Sequence, residues 1–429
     1  MNHRFDAIVV GAGPAGSAAA YLLARKGAHV LCLERGEYPG AKNVSGGILY
    51  GEPFHDLAEN EKEEWPRERR IVKHVLAMAA GSDSTRITYQ GTGGEAPMVF
   101  SVLRTGFDRW LSTRAQRAGA RILTEAPVDE VIWENGRAAG VKVRRPDGDV
   151  FAPCIILADG ANSLLAKKVG LRTEYKAGQM SLAVKEVIKL SKETIDARFG
   201  LNAEEGAAIS IIGEATSGLE GGAFLYTNRE SLSLGLVCHM DALIREKIRI
   251  RTLLDRFKQI PLISPLIQGG VLKEYSAHLI PTLGFRKRPK PFAQGILAAG
   301  DAAGFIVNTG FQVRGMDFAL ASGAAAAETV LDAHRKGDFS LKAMAAYEER
   351  LKDSYILKDL KTFRSMETGM KNQALYAVYP KVIGGVFADL YQGTGEPKKR
   401  LWRLLWEQLR SHRKLLDVLK DLFSLRRFL

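Results

Sequence analysis

Apolar and polar positions follow one another along the opening residues in an order that predicts a β-α-β unit. The apolar residues from Phe5 to Val10 predict a short buried strand, and the sequence GAGPAG that follows predicts a tight turn. Next, SAAAYLLARKG consists mostly of good helix formers, and the apolar run HVLCLE predicts a strand that ends at Glu34. A strand, a glycine turn, a helix and a strand ending in an acid are together typical of a dinucleotide-binding unit.

The pattern changes to β-rich segments at two places further along the chain. Residues near 85–102 and 181–239 contain β-rich apolar runs separated by turn signals, and residues 128–151 predict a β-meander with turns at ENG and PDG. Residues 241–270, and almost everything after about residue 340, predict helices. The simplest arrangement is an α/β fold, in which a Rossmann-like domain built from separate segments carries an inserted antiparallel β-sheet domain and a helical C-terminal region.

Three glycines of the first turn have the spacing GxGxxG, and each has its own physical role. Gly11 makes the tight turn, Gly13 lets the backbone approach a pyrophosphate, and Gly16 lets the helix pack closely on the strand. The helix that follows would direct its free N–H groups at the phosphates. Glu34, eighteen residues after Gly16, is placed to accept hydrogen bonds from a ribose.

Two further motifs favour FAD over a nicotinamide as the dinucleotide. LADGANS follows a predicted strand and contains Asp159 and Gly160, while GILAAGDAAGF contains Gly300 and Asp301. Both resemble motifs of the flavoprotein hydroxylase and reductase superfamily, which implies that Asp301 holds the ribityl chain and the flavin phosphate region. Arg104, in LRTGFDRWL, resembles the arginine that this superfamily places near the cofactor.

Each of these residues also has a plain structural interpretation. Asp301 fits a helix cap, Asp159 fits an ordinary Asp-Gly turn, and Arg104 fits a surface arginine. The chain contains a single GxGxxG, so a second dinucleotide has no comparable site. Electrons would then arrive from a transiently bound nicotinamide or from another protein.

Two longer segments resemble a narrower family. EYPGAKNVSGG and GDAAGFIVNTGFQVRGMDFALASG are similar to FixC-type flavoproteins, relatives of electron-transfer flavoprotein–quinone oxidoreductase, and the likeness extends to about residue 390. It implies an FAD domain of the glutathione-reductase/hydroxylase type, with Lys42–Gly47 along the cofactor and Gly310 and Phe311 near the isoalloxazine ring. The alternative for Ser45–Gly47 is an ordinary loop. The predicted FAD contacts are Gly11, Gly13, Pro14, Ala15, Gly16, Glu34, Arg35, Lys42, Asn43, Val44, Ser45, Gly46, Gly47, Arg104, Val128, Asp159, Gly160, Gly300, Asp301, Gly310 and Phe311.

These segments divide the chain into three parts. We expect the FAD-binding domain to comprise residues 1–75, 103–172 and 276–335. The β-sheet domain, which would take the substrate or quinone, comprises 76–102 and 173–275. The helical C-terminal region covers 336–429 and ends in a basic amphipathic tail.

The positions of the cysteines differ from those in the single-chain members of the resembled family. Those members bind an iron–sulfur cluster through cysteines in their C-terminal part. The three cysteines here are Cys32, Cys154 and Cys238, far apart and each in an apolar run, and none follows Cys238. The resemblance therefore implies the multi-subunit version, with a separate ferredoxin-like iron–sulfur subunit and a separate two-subunit electron-transfer flavoprotein. No metal-ligand spacing occurs among the histidines, so we predict neither a metal site nor a catalytic side chain.

Positive charge is concentrated at the C-terminus. The net charge is +13, of which residues 398–429, with ten Lys/Arg and three acids, carry +7. Leu, Trp, Val and Phe at helical spacing fit an interfacial helix attracted to anionic lipid, and equally a helix pair packed on its own domain. Nucleic acid is a poor candidate partner because no recognised nucleic-acid fold accompanies the basic residues.

The opening MNHRFDAIVV does not have the layout of a signal peptide, and no apolar run approaches the length of a spanning helix. We therefore expect a cytoplasmic protein peripherally associated with the inner face of the cell membrane.

The predicted function is FAD-dependent electron transfer from an electron-transfer flavoprotein to a membrane quinone, as the flavoprotein subunit of a FixABCX/EtfABCX-like complex. The alternatives are a flavin-dependent reductase of an isoprenoid or lipid, similar to geranylgeranyl reductase, and a non-catalytic docking subunit with structural FAD.

Overall fold

The structure, a computed structural model, describes residues 5–42, 46–51, 65–91, 98–393, 395 and 397–425. The strands are β1 (Ala7–Val10), β2 (Val30–Leu33), β3 (Gly47–Tyr50), β4 (Arg67–Ala80), β5 (Asp83–Gln90), β6 (Val99–Val102), β7 (Arg121–Leu123), β8 (Val128–Glu134), β9 (Arg137–Val143), β10 (Asp149–Phe151), β11 (Ile155–Leu157), β12 (Met180–Lys189), β13 (Glu205–Gly213), β14 (Gly221–Thr227), β15 (Ser231–His239), β16 (Val271–Pro281), β17 (Phe292–Ala293), β18 (Ile296–Ala298), β19 (Val307–Asn308) and β20 (Val313–Arg314).

The α-helices alternate with these strands at first and dominate the C-terminal part. They are α1 (Pro14–Arg25), α2 (Arg104–Arg117), α3 (Leu164–Lys168), α4 (Lys192–Phe199), α5 (Met240–Arg245), α6 (Ile250–Gln259), α7 (Ser264–Ile267), α8 (Met316–Lys336), α9 (Leu341–Asp353), α10 (Tyr355–Thr362), α11 (Met366–Gly369), α12 (Ala374–Ala377), α13 (Tyr379–Tyr391), α14 (Leu401–His412) and α15 (Leu415–Leu425).

A six-stranded sheet organises the first core. Its order is β17–β18–β11–β1–β2–β7, and all neighbours are parallel except the pair β17–β18. The central strands β1, β2, β11 and β18 are buried along their whole length, as continuous apolar runs in a parallel sheet require. The β-α-β unit predicted at the start of the chain is therefore present as β1, α1 and β2.

Small residues bring α1 and α8 unusually close to the sheet and to each other. A Cβ on Gly16 would lie 1.8 Å from the Gly11 carbonyl oxygen, so only glycine allows α1 to start this near to β1. A Cβ on Gly323 of α8 would lie 2.1 Å from the carbonyl oxygen of Ala15 in α1. The two helices consequently touch backbone to backbone at the beginning of α1.

A second, nine-stranded sheet holds the other core. Its order is β16–β12–β15–β14–β13–β4–β6–β3, with β5 paired to β4. The sequence predicts an antiparallel sheet, and the structure differs at one pairing, since β4 and β13 run parallel. These two strands are separated by more than a hundred residues, which allows the long crossover that a parallel pair needs. Apolar side chains of α4 and α6 cover one face of this sheet.

The strands of the nine-stranded sheet do not begin and end at the predicted domain boundaries. Strands β3 and β4 begin within residues 1–75 and β16 extends past residue 276, yet all three pair in the nine-stranded sheet. The division into domains stays a prediction, and the pairings favour giving these segments to the β-sheet domain.

The C-terminal helices fold back onto the β-sheet domain. Helix α13 contacts β4, and α14 packs on α13, where the Gln408 amide donates to Asp389 at 2.7 Å. Asp421 of α15 accepts hydrogen bonds from Asn372 and Tyr379 and pairs with Arg413 at 3.0 Å. No helix in the described part of the chain is long and apolar enough to span a membrane.

Replacement of Gly323 by alanine tests the close contact between α1 and α8. We expect Gly323→Ala to lower the free energy of unfolding by about 1–3 kcal/mol, because the added methyl group overlaps the Ala15 carbonyl. Gly384→Ala in α13 is the matched control, since its Cβ would lie 4.0 Å from Ala80, and it should raise stability by about 1 kcal/mol. Denaturant unfolding measures both; equal effects would contradict the assigned contact.

Candidate cofactor site

A cavity of about 1560 Å³ lies where the two sheets face each other. Its wall includes the residues that follow the carboxyl ends of β1, β2, β11 and β18, among them Gly11, Glu34, Asp159 and Gly300. The carboxyl edge of a parallel sheet is where open α/β folds bind their ligands. The opposite wall is formed by one face of the nine-stranded sheet, chiefly by β12, β13 and β14.

The glycine turn forms a cradle at the start of α1. Gly11 has φ of +100°, and a Cβ there would lie 2.4 Å from the carbonyl oxygen of Ala158, so the turn requires glycine. A Cβ on Gly13 would have open space around it, with the Arg104 guanidinium nearest at 3.9 Å. Pro14 is the first helical residue, and no side chain caps the helix. The free N–H groups of this helix end therefore remain available to an anion.

Arg104 places a positive charge beside this cradle. Its guanidinium donates two hydrogen bonds of 2.8 Å to the buried carboxylate of Asp108, one turn further along α2. The bidentate pair fixes the direction of the arginine. Arg104 is therefore a wall residue of the cavity held in one orientation, which favours the cofactor role predicted for it over that of a loose surface arginine.

Glu34 is held at the end of β2 by the backbone of two neighbouring turns. Its carboxylate accepts hydrogen bonds from the N–H of Ala12 at 2.9 Å and of Gly36 at 2.7 Å. Each carboxylate oxygen has a second lone pair, so both remain able to accept a ribose hydroxyl. The geometry agrees with the role that the sequence predicts.

Asp159 and Asp301 both line the cavity with buried carboxyl groups. Burial raises the pKa of each to about 6. Among the described residues, the buried Asp159 Oδ1 has no hydrogen-bond partner. An orphaned buried acceptor costs free energy unless a ligand satisfies it. Hydroxyl groups of a ribose or ribityl chain are ligands of the right chemistry.

Almost all of the residues predicted to contact FAD, among those that the structure describes, line the cavity. Asn43, Val44 and Ser45 lie outside the described residues. Gly16 does not reach the cavity, and its role is the close packing described above. That these residues contact FAD stays a prediction. The predicted residues that line the cavity are Gly11, Gly13, Pro14, Ala15, Glu34, Arg35, Lys42, Gly46, Gly47, Arg104, Val128, Asp159, Gly160, Gly300, Asp301, Gly310 and Phe311.

Sequence reasoning missed several polar residues on the β-sheet wall. Lys185 of β12 and Tyr226 of β14 line the cavity and are joined by a hydrogen bond of 2.9 Å. His278 and His239 also line it, and burial is the main cause that lowers the pKa of both. The one sequence feature that could have pointed to Lys185 is the charged Lys-Glu pair inside the apolar run MSLAVKEVIK. This pair belongs to no known spacing motif.

Another part of the cavity wall, called the apolar end below, is formed mostly by apolar side chains. Strand β13 contributes Ile212 to this end, and β16 contributes Ile280, which pairs with the cavity-lining Ser181. The C-terminal helical region covers it from the other side. The C-terminal residues that line it are Leu360, Phe363, Met366, Glu367, Met370 and Tyr376.

These features together fit FAD. The helix end and Arg104 suit a pyrophosphate, Glu34 and the orphaned Asp159 oxygen suit sugar hydroxyls, and Gly13 leaves room for close approach. Within the described ranges, no three His, Cys, Asp or Glu side chains are close enough to hold a metal ion.

Comparison with known proteins supports FAD as the cofactor and shows the family. Family models described as FAD dependent oxidoreductase match residues 6–196 and 106–329, and the ETF-QO/FixC family C-terminal domain matches residues 366–429. Protein FixC of Salmonella typhi is 43% identical over 394 residues, 91% of each chain. Protein FixC of Escherichia coli K12 is 41% identical over 422 residues, 97% of each chain. The chain belongs to the FixC family.

Other relatives of this FixC-family chain extend the comparison. The probable electron transfer flavoprotein-quinone oxidoreductase YdiS of Escherichia coli K12 is 37% identical over 98% of both chains. Among solved structures, a geranylgeranyl bacteriochlorophyll reductase-like protein from Thermoplasma acidophilum has a TM-score of 0.75 at 20% identity, over 100% of both chains. The flavin-dependent brominase Bmp2 has a TM-score of 0.67 at 17% identity, over 94% of this chain and 93% of that one. This FixC-family chain is an FAD-dependent oxidoreductase with the corresponding flavoprotein fold.

Two glycine substitutions separate the binding role of the turn from its packing role. We expect Gly13→Ala to leave the protein folded but to weaken FAD binding by about tenfold, or ~1.4 kcal/mol, because a methyl group would stand where the pyrophosphate approaches. Gly16→Ala should instead unfold or destabilise the protein, since its Cβ overlaps Gly11. Circular dichroism and fluorescence titration of apoprotein with FAD measure these outcomes. Unchanged FAD affinity in Gly13→Ala would contradict the cradle.

Proposed function

We propose that this chain passes electrons from a two-subunit electron-transfer flavoprotein to a membrane quinone. In this proposal it is the flavoprotein subunit of a FixABCX-like complex. The observation that carries it is that the cavity with the FAD cradle is also lined by apolar side chains of the β-sheet domain and of the C-terminal helices. An apolar space next to the cofactor suits the ring and prenyl chain of a quinone.

The residues of that apolar end support the assignment to this family's chemistry. Met366, Met370 and Tyr376 contribute to it, and all three lie within the segment that matches the ETF-QO/FixC C-terminal domain. Methionine side chains adapt their shape to flexible apolar ligands. The described C-terminal helices would therefore do more than cover the fold, because they would form one wall of the quinone site.

Bound FAD would supply the redox chemistry, accepting electrons from the donor and passing them on. The chain contributes binding and orientation through the glycine turn, Glu34 and Arg104. No described side chain is needed as a nucleophile in this role.

The iron–sulfur centre of such a complex would belong to a separate ferredoxin-like subunit. Cys32, Cys154 and Cys238 are buried free thiols, and each lies in a different strand or at its edge. Burial raises the pKa of these thiols, which disfavours the thiolate form that ligates iron.

The tail is proposed as the membrane-contacting surface. Helices α14 and α15 dock through few buried apolar side chains, including Leu404 and Val418, and leave many others exposed. Trp402 is 66% exposed and Leu416 is 72% exposed, and lysines and arginines lie among them. This combination suits adsorption to anionic lipid, with the apolar side chains inserted and the cations at the headgroups.

An anaerobic absorbance titration tests the electron path. We expect the flavin bands of the purified protein to bleach on addition of reduced electron-transfer flavoprotein and to recover on addition of a short-chain, water-soluble quinone. Bands that respond to neither reagent would contradict the proposal. Bleaching by NADPH, with recovery on a lipid alkene, would instead identify an isoprenoid reductase.

The same titration with quinone in anionic vesicles tests the tail. The variant Trp402→Glu/Leu416→Glu should slow recovery by vesicle quinone while leaving recovery by soluble quinone unchanged. Ile244→Glu/Leu341→Glu is the matched control, because these residues are 59% and 54% exposed outside the tail. Equal slowing by both double variants would contradict a specific role of the tail.

A further inference from the structure

Lys185 is a buried lysine on the cavity face of β12. Ser181, Ala183 and Lys185 line the cavity, while the alternate residues of the strand face the apolar core or the other side. The neighbouring Glu186 illustrates the alternation, since it pairs with Lys258 at 3.0 Å on that other side. Lys185 itself is only 9% exposed. Burying an ammonium group is costly, so its presence here calls for a physical reason.

Neutral groups hold the Lys185 ammonium in place. Its Nζ donates hydrogen bonds to the backbone carbonyl of Gly46 and to the Tyr226 hydroxyl. It also lies 5.2 Å from the ring centre of Phe224 and 5.4 Å from that of Tyr226, within the range of cation–π attraction. Gly235, opposite Lys185 on β15, leaves the space that these rings occupy, since its Cβ would lie 2.8 Å from Phe224. The ammonium is thus oriented without being neutralised by these contacts.

Charged and titratable groups around Lys185 set its protonation. Burial and the Arg104 cation disfavour the ammonium form, Glu274 of β16 favours it, and the balance lowers the pKa of Lys185 to about 7. Tyr226 and Tyr50 stay protonated, because burial raises the pKa of both phenols. His278 of β16 lines the same cavity, and burial lowers its pKa as well. Lys185 therefore changes charge near neutral pH.

The position of Lys185 relative to the cradle points to the flavin half of FAD. Glu34 marks the adenosine end and the start of α1 marks the pyrophosphate, so the rest of the cofactor extends to the far side of Arg104. Asp301 and Tyr226 both lie close enough to Arg104 to raise its pKa, and a Cβ on Gly46 would be 2.7 Å from the Tyr226 hydroxyl. A flavin that takes up two electrons and one proton gains a negative charge. A nearby cation in a cavity of low polarity stabilises that charge strongly.

We propose that the Lys185 ammonium stabilises the negative charge of the reduced flavin and so raises the reduction potential of the bound FAD. Tyr226 is the positioning residue that holds this ammonium in the cavity. The proposal depends on FAD binding but on neither the electron donor nor the quinone. Its failure and a failure of the proposed function are therefore distinguishable.

Potentiometric titration of the FAD-loaded protein with redox dyes tests this directly. At about pH 6, Lys185→Met should weaken the binding of reduced relative to oxidised flavin by about tenfold, which lowers a two-electron potential by about 30 mV. At about pH 9 the wild-type lysine is neutral, so the difference between the two proteins should vanish. Lys185→Arg keeps its charge throughout and should retain the high potential at both pH values.

Lys189→Met is the matched control, because it removes an exposed lysine from the same strand and should leave the potential unchanged. A potential in Lys185→Met equal to that of the wild type at about pH 6, or a difference that persists undiminished at about pH 9, would overturn the proposal. Tyr226→Phe should move the pH at which the lysine loses its effect to a lower value, since the ammonium loses an acceptor.

A second measurement needs no substitution and applies if the variants do not retain FAD. Reduction of the flavin should raise the proton affinity of Lys185, so the wild-type protein should take up additional protons on photoreduction. This uptake, followed with a pH indicator, should pass through a maximum between about pH 7 and 8. An uptake that does not depend on pH in this range would overturn the proposal.

Discussion

The close approach of α1 to both β1 and α8 is the constraint on which the rest of the site depends. Gly16 removes the side chain that would separate the helix from the Gly11 turn, and Gly323 removes the one that would hold α8 away from Ala15. With the start of α1 fixed in this way, its free N–H groups point into the cavity. Gly300, whose Cβ would lie 3.1 Å from the Ala15 side chain, brings the Asp301 turn to the same place. Three segments of the chain thus converge on one anion site.

The charged and the apolar side chains lie in different parts of the cavity wall, and each part suits a different ligand group. Arg104 and the helix end supply positive potential that suits a pyrophosphate, and the buried carboxylates of Glu34, Asp159 and Asp301 are acceptors that suit sugar hydroxyls. Lys185 is a further cation of the cavity wall, oriented by its hydrogen bonds to Gly46 and Tyr226. The apolar end under the C-terminal helices carries few charges, which suits a ligand that arrives from a lipid phase. In the proposed function, one cavity would therefore provide distinct environments for the cofactor and for a quinone.

The cradle was predictable from sequence because its geometry is local. The turn at Gly11, the helix after it and the acid at Glu34 lie within one β-α-β unit, and short spacing fixes their relation. The role of Lys185 was not predictable in this way. Its partner Gly46 is 139 residues away, and the side of β12 that faces the cavity follows from pairing with β15 and β16. The parallel pairing of β4 with β13 was missed for the same reason, since strand composition does not specify a distant partner.

In the proposed function, FAD and a quinone share this one cavity, with FAD at the glycine turn and the quinone at the apolar end. The most direct test is a crystal structure of the protein grown with FAD and a short-chain quinone. We predict both molecules in the cavity, with the quinone ring against Met366 and Met370 and with FAD fully retained. A quinone found outside the cavity, or one that displaces FAD from the glycine turn, would contradict the account.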